Sequence, residues 1–249
     1  MNIILLEERE ILGGRVVLDD RRAVHIQKVL RAAVGDRVRV GLVNGPMGSG
    51  MITAIVKGRP TRVELAVELS EHPAHQPEID IILALPRPIM LRRILGQVAA
   101  LGIGTLFIIQ ANRVEKSFWD SSLLEQHEYL EHLLHGLEQA VDTRLPQVQI
   151  FKRFKPFAED FLSRIKDDYR FRILAHPYGT STLAGYLGPG PGRILLAVGP
   201  EGGWVDFEVD RFEAQGFCCC SMGDRILKVD TAVVALHARV SAIREMLCR

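Results

Sequence analysis

The apolar run RILLAV (Arg193–Val198) leads directly into the turn GPEGGW (residues 199–204), and this junction constrains the fold more than any other feature. The run is short and bounded by glycine and proline, which predicts a buried strand. Apolar residues then recur at helical spacing, which predicts a helix with Asp206 as N-cap, Glu208 in its first turn and Gly216 just past its end. Ligands of open α/β sheets bind beyond the carboxyl ends of strands, where glycines allow close backbone approach. A tight turn without a ligand is the alternative.

Beyond residue 77 the same alternation of strands and helices continues, which is typical of an α/β domain with a largely parallel sheet. The predicted strands are Ile79–Pro86, Thr105–Gln110, Val148–Phe151, Phe171–Ala175, Arg193–Val198 and Phe217–Met222. The predicted helices, besides the one after GPEGGW, are Pro88–Gly102, about Asp120–Val141 and about Thr231–Leu247.

The first seventy residues have a different pattern, mostly of short strands, which is typical of a small β-barrel with one helix. The predicted strands are Ile3–Leu6, Arg15–Leu18, Arg37–Val43, Gly50–Val56 and Arg62–Leu69. The predicted helix is Arg21–Ala33, capped by Asp20, with Val24, Ile26, Val29 and Leu30 on its apolar side. The polar, proline-containing stretch Glu71–Glu78 is the natural linker between the two patterns.

Composition narrows the class of protein. The chain has 249 residues, 47% of them apolar and 24% charged, which is ordinary for a globular protein of one large or two small domains. The net charge of +1 gives no bulk signal for nucleic acid. No apolar run reaches the roughly 18 residues of a membrane span. The N-terminus MNIILLEERE lacks the features of a secretory signal, so we expect a cytoplasmic location.

Two clusters contain metal-ligating residue types, but we expect no metal site. Cys218–Cys220 are consecutive and, with Cys248, form no C-x-x-C pair, so they fit a short buried strand better than a metal or disulfide role. His127, Glu131 and His135 are spaced four apart on one helix, which is typical of a solvated Glu/His face and also compatible with metal binding.

The usual signatures of several enzyme classes are absent from the chain. There is no G-x-G-x-x-G opening a helix after a strand, no G-x-x-x-x-G-K-[ST], no G-x-S-x-G and no H-E-x-x-H. The sequence therefore gives no motif support for nicotinamide chemistry, phosphoryl transfer, serine hydrolysis or zinc proteolysis.

Four stretches together are more specific than any of them alone: HIQKVLR near the start, NRVEKS at 112–117, GPEGG at 199–203 and MGDRILKVDTAVVAL at 222–236. In this order and spacing, over almost the whole chain, they resemble the RsmE family. That family methylates N3 of a uridine in small-subunit ribosomal RNA with S-adenosylmethionine, and it belongs to the SPOUT superfamily. The resemblance implies an N-terminal PUA-like, RNA-binding β-barrel domain at 1–72 and a SPOUT α/β domain with a trefoil knot at 77–249. It also implies a homodimer whose substrate is the ribosomal RNA or the 30S subunit.

The resemblance places the methyl donor among three loops, at Leu174–Pro177, Gly199–Gly203 and Met222–Leu227. The expected cofactor contacts are Leu174, His176, Gly199, Pro200, Glu201, Gly202, Gly203, Met222, Gly223, Ile226 and Leu227. Glu201 is expected to order the turn and to contact the cofactor only indirectly. The glycines are expected to let backbone groups approach the cofactor without an intervening side chain.

Three residues are the catalytic candidates, each with a structural alternative. Arg225 is expected to stabilise the charge that develops on the base, or else to hold loop carbonyls. Asp230 is expected to accept a proton or hold the base, although it, like Thr231, also fits a helix cap. Arg113 is expected to hold a phosphate or base from across the dimer, or else to pair with Glu115.

RNA contacts are expected at Arg22, Lys28, Arg31 and Arg144, through phosphates. His25, on the same helix as the first three, is more typical of a packing or capping residue than of an RNA ligand.

Several positions depart from the family pattern. Met90 replaces a lysine early in the first helix of the second domain, Gln97 and Ala100 replace a lysine and a glutamate near its end, and Asp142 stands where an arginine is frequent. The family's LRTETA reads LKVDTA here, with Lys228 and Asp230. A SPOUT methyltransferase acting on another RNA position, or a non-catalytic RNA-binding relative, is therefore the alternative function.

Overall fold

The computed structural model describes residues 1–72 and 77–247. They form two compact units, one of Met1–Gln76 with Leu134–Leu145 and the other of Pro77–Leu133 with Pro146–Arg249. Leu134–Leu145 thus joins the first unit although it lies within the range 77–249 expected for the second domain. The domain boundaries at 72 and 77 stay predictions.

The first unit is built on a five-stranded sheet. Its elements are β1 (Ile4–Leu6), β2 (Arg15–Leu18), α1 (Arg21–Lys28), β3 (Arg37–Leu42), β4 (Met47–Val56) and β5 (Arg62–Glu71), with a 3₁₀ turn at Glu8–Glu10. The strand order is β1-β3-β4-β5-β2, with β1 parallel to β3 and every other pair antiparallel. Among the described residues β1 and β2 stay at the edges, so the sheet is a half-barrel, and closure into a PUA-like barrel stays a prediction.

Helix α1 is shorter than predicted. Asp20 caps it as expected, because its Oδ1 accepts a hydrogen bond from the Arg22 backbone N–H at 2.8 Å. The helix ends at Lys28 and not at Ala33, since Arg31 adopts a left-handed backbone with φ of 53°.

The early end of α1 changes which of its apolar residues are buried. Ile26 is fully buried in the core of the first unit, as expected. Val29 and Leu30 lie beyond the helix and are 65% and 46% exposed, and Val24 inside it is 39% exposed, so the predicted place of these three on the apolar side is wrong.

The second unit alternates strands and helices. Its strands are β6 (Ile79–Ala84), β7 (Thr105–Ile109), β8 (Gln147–Phe151), β9 (Tyr169–Ala175), β10 (Ser181–Thr182), β11 (Arg193–Val198) and β12 (Cys218–Ser221). The helices after α1 are α2 (Pro88–Ala100), α3 (Gln126–Ala140), α4 (Leu162–Ile165), α5 (Leu183–Tyr186), α6 (Asp206–Ala214) and α7 (Val229–Leu247). Helix α3 begins in the second unit, and its residues from Leu134 belong to the first. Short 3₁₀ turns lie at Lys116–Asp120, Ser122–Leu124 and Lys166–Asp168, and a π-helical turn lies at Pro156–Phe161.

All seven strands of this second sheet run parallel, in the order β10-β12-β9-β11-β6-β7-β8. The predicted α/β class with a largely parallel sheet is confirmed. Because parallel strands point the same way, every loop that follows a strand begins at one edge of the sheet. The segments after β6, β7, β9, β11 and β12 are therefore brought to the same edge.

The ends of three helices differ from the sequence prediction. Helix α3 begins at Gln126, since residues near Asp120 form 3₁₀ turns instead. Val205, not Asp206, is the N-cap of α6, and the Glu208 side chain accepts the Val205 N–H at 3.0 Å. Helix α7 already begins at Val229, so Asp230 and Thr231 lie inside its first turn and neither caps it.

Candidate active site at the carboxyl edge of the parallel sheet

A cavity of about 740 Å³ opens at the carboxyl edge of the parallel sheet. Segments that follow β6, β7, β9, β11 and β12 line it, together with the start of α7. The predicted cofactor residues that line it are His176, Gly199, Pro200, Glu201, Gly202, Gly203, Met222, Gly223, Ile226 and Leu227. Leu174 does not, because its side chain is fully buried in β9.

Two glycines of the GPEGG turn lie tightly against neighbouring side chains of the protein itself, and a third has a backbone conformation that favours glycine. A Cβ at Gly202 would lie 2.9 Å from Cδ of Arg113, and a Cβ at Gly199 would lie 3.1 Å from Nε1 of Trp204. Gly203 has a φ of 76°, in the left-handed region that favours glycine. The turn is therefore shaped by an arginine stem and an indole ring, a reason that the local sequence pattern did not reveal.

Two of the four quoted stretches meet at this turn. The guanidinium of Arg113, in NRVEKS, donates a hydrogen bond to the carbonyl oxygen of Gly202. Glu208 is 2% exposed, and its Oε1 accepts the backbone N–H of Asn112 at 2.6 Å while its Oε2 accepts that of Val205. Glu208 thus holds the loop after β7 against the start of α6. Sequence reasoning placed Glu208 only in a first helical turn, and its position three residues after the cap was the available signal.

Glu201 contacts the start of α2. Its Oε1 accepts the backbone N–H of Arg87 at 3.0 Å, at the residue that caps α2. Because α2 presents unpaired N–H groups at its N-terminus, a carboxylate there is favourable. The contact links the loop after β11 to the loop after β6.

The loop after β12 is held by residues that the sequence pattern missed. Arg239 on α7 donates a hydrogen bond to the Met222 carbonyl at 2.6 Å. Ser221 Oγ accepts the Gly223 N–H at 3.1 Å and donates to the Pro177 carbonyl at 3.2 Å. Gly223, with φ of 113°, turns the chain into the segment that carries Arg225.

The predicted catalytic residues are not all at the cavity. Arg113 and Arg225 line it, and both are exposed. Within the described residues, Arg225 makes no hydrogen bond or ion pair with another side chain or with a loop carbonyl. Asp230 does not line the cavity; it is 8% exposed and its Oδ2 lies 3.4 Å from the guanidinium of Arg93.

Of the positions expected to depart from the family pattern, some line the cavity and others do not. Met90 and Lys228 line the cavity. Gln97 and Ala100 lie further along α2 and do not. Of these positions, Met90 and Lys228 are therefore the ones placed to contact a ligand in the cavity.

The predicted RNA-binding residues all belong to the first unit. Arg22 is committed to structural contacts: its guanidinium donates to Glu10, to Asp20 and to the Leu5 carbonyl, and its side chain is 13% exposed. Burial by itself would lower the pKa of Arg22, but the hydrogen bonds to these carboxylates raise it above its usual value.

The other predicted RNA-binding residues are in different environments. Lys28 and Arg31 are exposed. Arg144 is half-buried, and its backbone N–H donates to Asp142 Oδ1 at 3.0 Å. His25 Nε2 lies 3.2 Å from the Met1 carbonyl, which is a packing contact within the unit.

Neither metal-ligand cluster forms a site in the part of the chain that the structure describes, where no group of three or more His, Cys, Asp or Glu residues is arranged to hold an ion. Cys218 and Cys220 are free thiols with Sγ atoms 3.7 Å apart. Burial raises the pKa of the Cys220 thiol to about 12, and the neighbouring Cys218 raises it further by a smaller amount.

Among the described residues, none of the helices has the length and apolar character that a membrane span needs.

Comparison with known proteins gives consistent matches. Residues 73–241 match the family model described as an RNA methyltransferase domain. The chain is 32% identical over 247 residues to the Ribosomal RNA small subunit methyltransferase E of Treponema pallidum, covering 97% of this chain and 91% of that one. It is 26% identical to the protein of the same name from a Synechocystis strain, covering 97% of this chain and 78% of that one.

Two solved structures share the fold. The Ribosomal RNA small subunit methyltransferase E of Neisseria gonorrhoeae, bound to S-adenosyl methionine, has a TM-score of 0.79 at 20% identity, with 98% of each chain covered. A putative methyltransferase of Legionella pneumophila, also in complex with that cofactor, has a TM-score of 0.75 at 20% identity, with 97% of each chain covered. Together with the family model and the sequence relatives, these findings show that the chain belongs to the RNA methyltransferase family and, within it, to the ribosomal RNA small subunit methyltransferase E (RsmE) family.

Proposed function

We propose that the protein transfers a methyl group from S-adenosylmethionine to N3 of a uridine in small-subunit ribosomal RNA, with the RNA or the 30S subunit as substrate. The observation that carries this proposal is the cavity at the carboxyl edge of the parallel sheet, which the GPEGG turn, Arg113 and Arg225 all line. The names of the relatives support the ribosomal substrate.

The residues present fit S-adenosylmethionine. The cavity of about 740 Å³ falls within the roughly 300–1,000 Å³ usual for small-molecule sites. Trp204 lines it, is 4% exposed, and its Nε1 has no hydrogen-bond partner among the described residues, so a buried donor is available to a ligand. Val198 and Leu236 add apolar lining for the ligand's carbon surface. S-adenosylmethionine, when bound, supplies an electrophilic methyl group on a sulfonium.

The chemistry assigned to the protein is the handling of the N3 proton. Uridine N3 carries a proton at neutral pH, and its loss leaves negative charge shared between N3 and the two carbonyl oxygens of the base. An exposed Arg225 with no ion pair among the described residues is suited to donate hydrogen bonds to such an oxygen. Arg113 is already held by Gly202, so its proposed role is to fix the turn and to meet a phosphate or the base. We do not assign proton transfer to Asp230, which pairs with Arg93.

The finer fold and the assembly belong to the same proposal. We propose that residues 1–72 are a PUA-like RNA-binding domain, in which Lys28 and Arg31 contact phosphates, and that 77–249 are a SPOUT domain with a trefoil knot. The five-stranded sheet and the placing of β11 between β9 and β6 support these assignments. A homodimer is proposed on the family resemblance, and a ribosomal RNA substrate supports a cytoplasmic location.

A second candidate is methylation of another RNA position. It is favoured by Met90, which lines the cavity at the position where the family commonly has a lysine. A non-catalytic RNA-binding protein is less well supported, because the cavity retains the GPEGG turn and both arginines.

The test is methyl transfer from labelled S-adenosylmethionine to small ribosomal subunits that lack their uridine-N3 mark, followed by nucleoside mass analysis. Label in 3-methyluridine supports the proposal. Label in another nucleoside favours the second candidate. Absence of label, with S-adenosylmethionine still bound in equilibrium binding, contradicts the proposed substrate.

A further inference from the structure

Two of the most exposed apolar side chains of the protein lie at the mouth of the candidate active site. Tyr178 is 83% exposed, the highest value among the large apolar side chains that the structure describes, and Ile226 is 77% exposed. Both line the cavity. Large apolar side chains left in water at a binding cavity mark a surface that a partner covers.

The segments that carry these residues are fixed next to each other. Tyr178 lies in a turn after β9, in which the Gly179 N–H donates to the His176 carbonyl at 3.1 Å and the Tyr178 N–H donates to His176 Nδ1 at 3.2 Å. A Cβ at Gly179 would lie only 2.5 Å from the Cys220 backbone, so the turn packs directly on the end of β12. Ser221 Oγ bonds the Pro177 carbonyl and thereby ties this turn to the loop that leads to Ile226.

The charged residues that line the same cavity as Tyr178 and Ile226 indicate which kind of partner would bind there. Arg87, Arg113, Arg225 and Lys228 line the same cavity. Among the described residues, Glu201 is the one acidic residue that lines it, and its carboxylate is hydrogen-bonded to the Arg87 backbone. An aromatic ring and an aliphatic side chain set among cations suit a nucleobase attached to phosphates.

We propose that Tyr178 and Ile226 form an apolar clamp that holds the target nucleobase after it leaves the RNA stack, with the base resting on the Tyr178 ring. The inference rests on the proposed RNA substrate and adds the residues that hold the reacting base. Enzymes that modify a base inside structured RNA or DNA take it out of the stack and place it between aromatic or apolar side chains. The exposed position of the ring favours the incoming RNA over the methyl donor's adenine, because a bound donor has the apolar lining at Val198 and Leu236 available inside the cavity.

The test compares Tyr178→Ala, Tyr178→Phe and Ile226→Ala with the wild type in two binding measurements. The first is affinity for small ribosomal subunits that lack the uridine-N3 mark, by filter binding, and the second is affinity for S-adenosylmethionine, by calorimetry. Leu12→Ala is the matched control, since Leu12 is also 77% exposed and does not line the cavity. Tyr178→Ala is expected to weaken subunit binding by roughly 5- to 150-fold, the range for loss of one base–aromatic stack. Ile226→Ala is expected to weaken it less, and Tyr178→Phe to restore most of the loss.

Unchanged affinity for S-adenosylmethionine in Tyr178→Ala supports the clamp and also shows that the variant is folded. Loss of donor affinity instead of subunit affinity would assign the ring to the adenine and overturn the clamp. Subunit binding by Tyr178→Ala equal to that of Leu12→Ala would overturn it as well. If the wild type transfers no methyl group and Tyr178→Ala still weakens subunit binding, the proposed reaction is rejected and the clamp is supported.

Discussion

The guanidinium of Arg113 donates a hydrogen bond to the Gly202 carbonyl, and the same arginine's stem occupies the space that a Cβ at position 202 would need. One side chain therefore both holds the GPEGG turn and requires the glycine in it. The NRVEKS and GPEGG stretches, 89 residues apart at these two positions, act as one structural element.

Gly202→Ala is expected to destabilise the protein and weaken binding of S-adenosylmethionine, because the new Cβ would lie 2.9 Å from Cδ of Arg113. In an Arg113→Ala background the nearest obstacle is gone, so the two changes should be non-additive by roughly 0.5–3 kcal/mol in the free energy of unfolding. Urea unfolding of both single variants and the double variant measures this coupling. Gly188→Ala is the control, since its Cβ would meet its nearest neighbour, Phe171, at an ordinary 3.9 Å. Strict additivity would show that the arginine stem does not require the glycine.

Glu208→Gln is expected to lower the free energy of unfolding by about 1–3 kcal/mol, the usual cost of leaving a buried polar group unsatisfied. The carboxylate accepts the N–H groups of Asn112 and Val205 with different oxygens, and an amide can accept only one of them. Thermal or urea unfolding gives the change. Glu213→Gln, on the exposed side of the same helix, is the matched control. Equal effects of the two changes would contradict the role given to Glu208.

The stability of the protein should fall as the pH drops below about 6.5, with His237 as one cause. Burial lowers the pKa of His237 below its usual 6.5, against a smaller opposing effect of its hydrogen bond to the Leu101 backbone. Since the unfolded chain then binds more protons in this range, acidification favours unfolding, and the effect vanishes above the unfolded-state pKa. Urea midpoints between about pH 7.5 and about pH 5.5 should change less in His237→Gln than in the wild type. An identical slope in His237→Gln would contradict the assignment.

Lys28→Ala and Arg31→Ala are each expected to weaken binding of small ribosomal subunits, and to reduce the slope of log affinity against log salt by about one. Both side chains are exposed, and a phosphate contact contributes through release of counterions. Binding isotherms at several salt concentrations measure the slope. Lys57→Ala, at an exposed lysine of the same unit, serves as the control. Unchanged slopes would remove both residues from the RNA-binding surface.

The parts of the structure that local pattern predicted are those that depend on nearby residues. RILLAV is a strand, Asp20 caps α1, and Gly216 has the positive φ expected just past α6. The errors occur where the same short-range pattern is compatible both with a continued helix and with a loop. Apolar Val29 and Leu30 continue the helical spacing of α1, yet the helix ends at Lys28 because the backbone turns at Arg31.

The site could be predicted in outline but not in its contacts. The resemblance to the RsmE family implies the three loops, and segments of all three line the cavity. Trp204, Arg239 and Tyr178 were missed, since their roles depend on partners tens of residues away or on exposure at a rim. Asp230 lies outside the cavity lining, and a carboxylate near a suspected loop gives no sign in the sequence of its partner Arg93.

The position of β11 between β9 and β6 determines when the sheet can be completed during translation. A growing chain that stops before Arg193 lacks the strand that separates β9 from β6, and one that stops before Arg239 lacks the hydrogen bond that holds the Met222 loop. Translation proceeds from the N-terminus, so the cavity is completed only after α7 has been made as far as Arg239. A chain cut short before Arg239 therefore lacks residues that line or hold the candidate site, so such a copy has no complete site to offer a ligand.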